Sequence, residues 1–74
     1  MTGNELKEAR QKLGLSQRAL SDAIDMSRVM IVLMEHGKKR IEKRTELAIL
    51  CLLYEAGIKS AKHYNSMEIN NVQL

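Results

Sequence analysis

The chain has 74 residues, of which 45% are hydrophobic and 28% charged, with no proline and a formal net charge of +3. This composition predicts one small, helix-rich globular domain and excludes a disordered chain, and a single cysteine, Cys51, excludes an internal disulfide. Cys51, His36 and His63 match no zinc spacing, so we expect neither a metal nor another cofactor.

Nothing in the sequence predicts a membrane or secreted protein. No apolar run reaches the length of a membrane span, and the first residues lack the pattern of a signal peptide. We therefore expect a cytoplasmic protein, in a bacterial cell or a phage-infected host. A domain of this size has a small core, and with disulfides and zinc excluded we expect oligomerisation to supplement it.

The first predicted helix covers residues 4–13. Asn4 is the predicted N-cap, Glu5 lies at the positive end of the helix dipole, and Gly14 suits the left-handed turn that ends a helix. Arg10 falls among the apolar positions of this helix. Two interpretations stay open: the arginine extends its charged end into water, or it pairs with an acidic residue of another helix.

Residues 16–37 have the outline of two short helices, predicted over 17–24 and 28–36, joined by a tight turn. Ser16 and Ser27 precede them, and serine is a favoured N-cap because its hydroxyl accepts a backbone N–H. Apolar residues at helical spacing are expected to share one buried face: Leu20, Ala23, Ile24, Ile31 and Met34. The outline is typical of a helix-turn-helix, whose second helix reads the DNA major groove.

A basic segment follows the second of these helices. Its positive side chains lie within seven residues and are opposed only by Glu42: Lys38, Lys39, Arg40, Lys43 and Arg44. Such a run is either a solvated loop or a surface for a polyanion. The only aromatic residues are two tyrosines, and because binding of single strands and RNA depends on aromatic stacking, duplex DNA is the favoured partner.

The fourth predicted helix, residues 45–56, is apolar on nearly every side, with Thr45 or a neighbour as its cap and Gly57 at its end. Such a helix must be buried on every side, and one small domain cannot surround it. We predict that the core takes Leu47 and Leu50 together with Leu53 or Tyr54. The excess of apolar side chains indicates a two-fold dimer contact, assigned to Ile49, Leu52 and Leu53.

The predicted organisation is a helix-turn-helix DNA-binding domain, residues 1–58, and a C-terminal extension, residues 59–74. Apolar residues are scattered among asparagines at the end of the extension. It is a short fifth helix, an arm that packs on a partner subunit, or a frayed tail, and these alternatives stay open. The predicted fold is all-α, a bundle of four to five helices.

The residues around the motif resemble the phage repressor and Cro family, also called the XRE-type helix-turn-helix family. The family pattern is matched in register and without gaps at Ser16, Gln17, Leu20, Ser27, Ile31, Glu35, Gly37 and Lys38. An upstream R-x-x-x-G-L-S-Q also matches, beginning at Arg10. The resemblance covers about residues 6–40, with weaker agreement to residue 56, and implies a lambda-repressor-like bundle.

The resemblance also implies roles for single residues. Gln17 is expected to bond a DNA phosphate and brace the second helix of the motif, and Arg10 and Glu35 are expected to form a buried ion pair. Base reading is expected from Arg28, Val29, Val32 and Leu33. Further phosphate contacts are expected from Ser27, Lys38, Lys39, Arg40 and Arg44.

Three features depart from the family pattern. Asp25 stands where the pattern has glycine, and a left-handed backbone is less favourable for aspartate. Ser21 occupies the position after Leu20, where the family pattern usually has a small residue. The outward face of the second helix is unusually apolar, through Val29, Met30 and Val32 among others. These side chains either contact thymine methyl groups or pack on a protein surface.

The predicted function is a dimeric, sequence-specific repressor that binds a palindromic operator in double-stranded DNA, with half-sites about one helical turn apart. It fits an autoregulator of a small operon, derived from a phage or another mobile element. Two alternatives stay open: an antitoxin that holds a toxin through residues 59–74 and also binds its own promoter, and an interaction module that does not bind DNA. We do not expect an enzyme, because the sequence has no catalytic spacing signature and no glycine-rich phosphate loop.

Overall fold

The computed structural model describes residues 1–58, which form four α-helices joined by short connections. The helices are α1, Gly3–Lys12; α2, Gln17–Ala23; α3, Arg28–Glu35; and α4, Lys43–Glu55. No strand occurs in this part of the chain, and the predicted all-α bundle is confirmed. The C-terminal extension, residues 59–74, with its predicted helix, arm or tail, lies outside the described residues.

The two helices of the motif begin where their serines predict. Ser16 Oγ accepts the backbone N–H of Ala19 at 3.0 Å, and Ser27 Oγ accepts the backbone N–H of Met30 at 3.2 Å. Each hydroxyl satisfies one of the N–H groups that have no partner inside the helix. The start of α3 is therefore fixed by its own sequence.

The other two helices begin earlier than predicted. Thr2, and not Asn4, caps α1: its hydroxyl accepts from the backbone of Glu5, whose carboxylate accepts from the backbone of Thr2. This reciprocal pair is a capping box. α4 begins at Lys43, so Thr45 is a buried residue inside the helix and not its cap, and no side chain caps this helix.

All four helices end on a residue with positive φ. Three of these residues are the glycines Gly14, Gly37 and Gly57, and the fourth is Asp25 with φ 55°. After Asp25 the chain turns sharply, and the N–H of Met26 bonds the carbonyl of Ser21 at 2.8 Å. The corner of the motif therefore uses the left-handed backbone expected there, with a Cβ atom in an unfavourable position.

Replacing Asp25 with glycine is expected to raise the free energy of unfolding by up to about 1 kcal/mol, because the strain of the left-handed Cβ disappears. The greater freedom of glycine in the unfolded chain offsets part of the gain. Urea unfolding measures the change. Asp22→Gly is the matched control: Asp22 is an exposed residue of α2, and the change should lower the free energy of unfolding by about 0.3 kcal/mol, since aspartate is only slightly better than glycine in a helix. Equal losses at both positions would show that Asp25 carries no strain.

The core forms where α3 packs against α1 and α2, and where α1 packs against α4. It consists of eight side chains: Leu6, Ala9, Leu20, Ile31, Met34, Ile49, Leu50 and Leu53. Leu20, Ile31 and Met34 lie in it as predicted. Ala23, expected on the same buried face, is exposed.

The orientation of α4 corrects the predicted dimer contact. Ile49 is completely buried and Leu53 nearly so, which places both inside the monomer and out of reach of a second copy. Leu52 is half-buried against the core. Leu47 and Tyr54, considered for the core, are instead 47% and 60% exposed. When a helix is apolar on every side, its sequence does not indicate which side faces the core. In this domain the packing of α4 against α1 determines the buried side.

The N-terminal segment is held closely against the rest of the domain. A Cβ added at Gly3 would collide with the carbonyl oxygen of Met34 and lie 2.7 Å from that of Glu35, so α1 begins directly against the end of α3. The amino group of Met1 lies 3.6 Å from Glu46 Oε1 of α4. Within residues 1–58, the helices are too short or too polar to cross a lipid bilayer.

Candidate nucleic-acid interface

The outward side of α3 carries the predicted base-reading residues. Ile31 and Met34 hold the inner side of the helix in the core. On the outer side Arg28 is exposed, and Val29 and Leu33 are 64% and 37% exposed. Val32, the fourth predicted reader, is half-buried. The side chains at the start of α3 are therefore accessible, as base reading in a groove requires.

An ion pair fixes α3 to α1. Arg10 Nε donates to Glu35 Oε2 at 2.6 Å, and Arg10 Nη2 donates to Glu35 Oε1 at 3.2 Å. The two side chains are only 13% and 4% exposed. Arg10 Nη1 also donates to the carbonyl of Leu15 at 3.0 Å, before α2 begins. Arg10 therefore pairs with an acid of another helix, the second of the two sequence interpretations, and joins α1, α3 and the connection before α2.

The charge of Glu35 is stabilised by its neighbours. Burial opposes ionisation, but hydrogen bonds from Arg10 and Gln17 and the positive charges of Arg10 and Lys7 outweigh it, so the pKa of this carboxyl lies below its ordinary value. Glu35 is therefore ionised at neutral pH. The carboxylate acts as a common acceptor for groups from α1 and α2.

Gln17 supplies the α2 side of this network. Its Nε2 donates to Glu35 Oε1 at 3.2 Å, so Gln17 braces α3 as the family resemblance implies. An open polar groove lies over the network and is also lined by Asn4, Lys7 and His36. The sequence interpretation missed Asn4 and Lys7. Asn4, Lys7 and Arg10 follow one another at intervals of three residues along one face of α1, and this spacing is the signal that points to them.

A second shallow groove lies at the other end of α3. It is lined by the turn before α3, Ile24, Asp25 and Met26, and by Arg44, Thr45 and Ala48 of α4. Arg44 is thus close to the turn that leads into Ser27. Its side chain is 90% exposed, with Nε 3.4 Å from Glu42 Oε1. An exposed pair of this kind contributes little stability, so Arg44 remains available to an external anion.

The basic segment between α3 and α4 is open to solvent. Lys38, Lys39 and Arg40 are exposed, and the N–H of Lys38 bonds the carbonyl of Leu33, which places the segment directly after the last turn of α3. Across residues 1–58, no acidic side chain pairs with these three cations. Such cations can add salt-dependent attraction to a phosphate backbone without carrying sequence information.

The polar groups of this surface within residues 1–58 are mainly cations and amides. No group of three histidine, cysteine or acidic side chains there could hold a metal ion. The buried polar side chains of the same region all have hydrogen-bond partners. The surface therefore offers an exposed helix face flanked by cations and amides.

Comparison with known protein families gives a match. Residues 6–53, about two thirds of the chain, match the sequence profile of the Helix-turn-helix family. The matched segment contains α2, α3, the Arg10–Glu35 pair and most of α1 and α4. No curated protein and no solved structure gives a significant match.

Proposed function

The chain belongs to the Helix-turn-helix family of Cro and phage-repressor (XRE) type, whose domains are DNA-binding regulators and not enzymes, and we propose that it is a dimeric repressor of a palindromic operator. The observation that carries this proposal is α3, whose outer face is exposed while candidate phosphate-binding groups lie at both of its ends. The proposed site of action is the cytoplasm of a bacterial cell or a phage-infected host.

The dimensions of α3 fit this role. Its eight residues span about 12 Å at 1.5 Å per residue, close to the width of the major groove of B-DNA, about 12 Å. Gln17 lies at the C-terminal end of α3 and Arg44 near the N-terminal end. A helix inserted in the groove would bring both residues close to phosphates. Ser27, Lys38, Lys39 and Arg40 supply the further contacts.

A line of exposed residues on α4 supplies the dimer contact. Leu47 and Cys51 lie on this line, with Tyr54 beside it, and Lys43 and Glu55 stand at its two ends. Residues 43, 47, 51 and 55 are spaced by four and lie along one side of α4. When two copies of α4 pack antiparallel, each Lys43 lies opposite Glu55 of the other copy, and the apolar residues meet in the middle. The face is self-complementary in charge, which favours a second copy of this chain over another occupant.

Cys51 suits the centre of such a contact. Its thiol donates to Glu55 Oε2 at 3.6 Å. The negative charge of Glu55, with smaller effects of desolvation and of this hydrogen bond, raises the pKa of the thiol. The group therefore stays neutral at physiological pH and behaves as a small hydrophobic side chain.

The two-fold dimer determines the form of the DNA site. Two recognition helices related by a two-fold axis reach successive major grooves on one side of the duplex when half-sites are about 34 Å apart. A dimer that occupies such a site at a promoter excludes polymerase. With no ligand or cleavage site proposed, repression follows the concentration of the protein, which suits autoregulation.

Selection from random duplex DNA tests the proposal. We expect a palindrome with half-sites about one helical turn apart, and an affinity that falls steeply with salt, with a slope of about −0.9 per phosphate contact in a plot of log K against log salt. The Lys38→Ala variant should reduce the magnitude of this slope by about one, because one phosphate contact is lost. Lys12→Ala, at an exposed lysine of α1 outside the polar groove, should leave it unchanged.

The exposed apolar residues of α3, Val29 and Leu33, also favour a second candidate, a protein-interaction module with this fold. The two functions give opposite results in the same experiment. Failure to enrich any duplex, or binding that does not depend on salt, would reject the repressor and support the interaction module.

A further inference from the structure

The outer face of α3 has few groups that can form hydrogen bonds with a base. Arg28 stands at its start, and the hydroxyl of Ser27 already caps the helix. The side chains that follow toward the C-terminal end are Val29, Val32 and Leu33, all hydrocarbons. Val29 is the most exposed of them at 64%. Most of the surface that α3 presents is therefore unable to donate or accept a hydrogen bond.

Apolar side chains in the major groove discriminate strongly among bases. Thymine is the only one of the four bases with a methyl group there, at C5, whereas the other edges present mainly nitrogen and oxygen groups. A valine placed against those polar edges would remove water from them without replacing its hydrogen bonds, which is unfavourable. A valine placed against a thymine methyl buries apolar surface on both partners.

We propose, resting on the repressor function above, that each half-site is read mainly through thymine methyl groups. Val29 and Leu33 contact the methyls of two different thymines, since they lie one helical turn apart on the same line of α3. Arg28 bonds one guanine through O6 and N7. The ligand is a duplex whose half-site combines one G·C pair with neighbouring T·A pairs in a fixed order.

The contact network behind α3 supports this mode of reading. Dispersion contacts are short-ranged and need a helix held at a constant depth in the groove. Arg10 and Gln17 hold Glu35 at the end of α3 through three hydrogen bonds, and Ile31 is completely buried beneath it. Val29 itself is on the open side of the helix, so its replacement changes the surface and leaves the core intact.

Removal of single methyl groups from the operator tests the proposal. In the duplex obtained by selection, each thymine is replaced in turn by deoxyuridine, which keeps the base pair and lacks only the C5-methyl. We expect a loss of affinity of about fourfold at each contacted thymine, as for burial of one methyl group, and no change elsewhere. Exchanging a contacted T·A pair for C·G should weaken binding, and 5-methylcytosine in that C·G pair should recover part of the loss.

Protein variants assign each methyl to a side chain. In Val29→Ala the uracil penalty should disappear at one thymine and persist at the thymine assigned to Leu33. Arg28→Ala should weaken binding and relax the preference at one guanine, while every uracil penalty stays. A selected operator that binds equally well with uracil at every position would overturn methyl reading and leave the repressor function standing. If no duplex is enriched, both proposals fail.

Discussion

Replacing Arg10 with alanine is expected to lower the free energy of unfolding by about 3–5 kcal/mol at neutral pH. Glu35, whose side chain is only 4% exposed, would lose its cation, and the carbonyl of Leu15 would lose a donor. The total free energy of unfolding of a protein domain is about 5–15 kcal/mol, so this loss removes a large part of the stability. Urea or thermal unfolding followed by circular dichroism measures it, and DNA affinity should fall further than the folded fraction does, because α3 loses the bonds from Arg10 that hold Glu35 at its end.

A double variant separates the charge from the packing. Arg10→Met with Glu35→Leu removes both ions and keeps most of the side-chain volume. We expect its free energy of unfolding to lie within about 1 kcal/mol of that of the original chain, because an apolar pair often replaces a buried ion pair at little cost. Equal losses in the single and the double variant would show that shape and not charge is what matters at this site.

The pH dependence gives a second check on the same residue. The pKa of Glu35 is lower in the folded chain than in the unfolded chain, so its contribution to stability is fully present above the unfolded value, about 4.5, and is lost as the pH falls through the folded value. Arg10→Ala removes the largest stabilising part of this contribution and leaves only the effects of Gln17 and Lys7. The stability difference between the two proteins should therefore shrink on acidification, and a difference that stays constant to pH 3 would contradict the assignment.

Replacing Leu47 with glutamate is expected to give a folded monomer with an affinity for the full operator about 100- to 10,000-fold lower. The side chain is 47% exposed, so a charge there is compatible with the fold but places like charges close together in the proposed dimer. Sedimentation equilibrium and binding to full and half operators measure the two effects. Ile49→Glu is the contrast: it buries the charge in the core and should unfold the domain.

Two further variants keep this result interpretable. Gln11→Glu adds the same charge at an exposed position of α1 and should leave the dimer intact. Lys43→Glu should weaken the dimer, and the double variant Lys43→Glu with Glu55→Lys should restore it. Each exposed ion pair is expected to change the free energy of dimerisation by about 0.2–1 kcal/mol. A Leu47→Glu protein that still sediments as a dimer would place the contact elsewhere.

The parts of the fold that the sequence predicts are those with local causes. Ser16 and Ser27 cap the helix that follows them, and Gly14 and Gly37 end the helix before them, all through contacts within a few residues. The prediction of Asn4 as the cap of α1 was wrong, although the T-x-x-E spacing from Thr2 to Glu5 is a local signal of the capping box that the structure contains. Such signals need no knowledge of the rest of the molecule.

The parts of the fold that cannot be predicted from the sequence depend on contacts between distant segments. Ile49 and Leu47 are both aliphatic residues of one helix, and only the position of α1 decides that the first is buried and the second exposed. Gly3 shows no reason for its identity until α1 is placed against the carbonyl groups of Met34 and Glu35. The Arg10–Glu35 pair was expected only because a family pattern supplied the partner for an arginine on an apolar face.

The three-way bonding of Arg10 has a consequence for protein engineering. Residues 16–37 look like a portable DNA-reading unit, yet the cation that neutralises Glu35 comes from α1, six residues before that segment begins. Grafted alone onto another scaffold, the segment would carry a carboxylate with no counter-ion and a recognition helix with no fixed tilt. The smallest transferable cassette therefore starts at Thr2, where the cap of α1 begins.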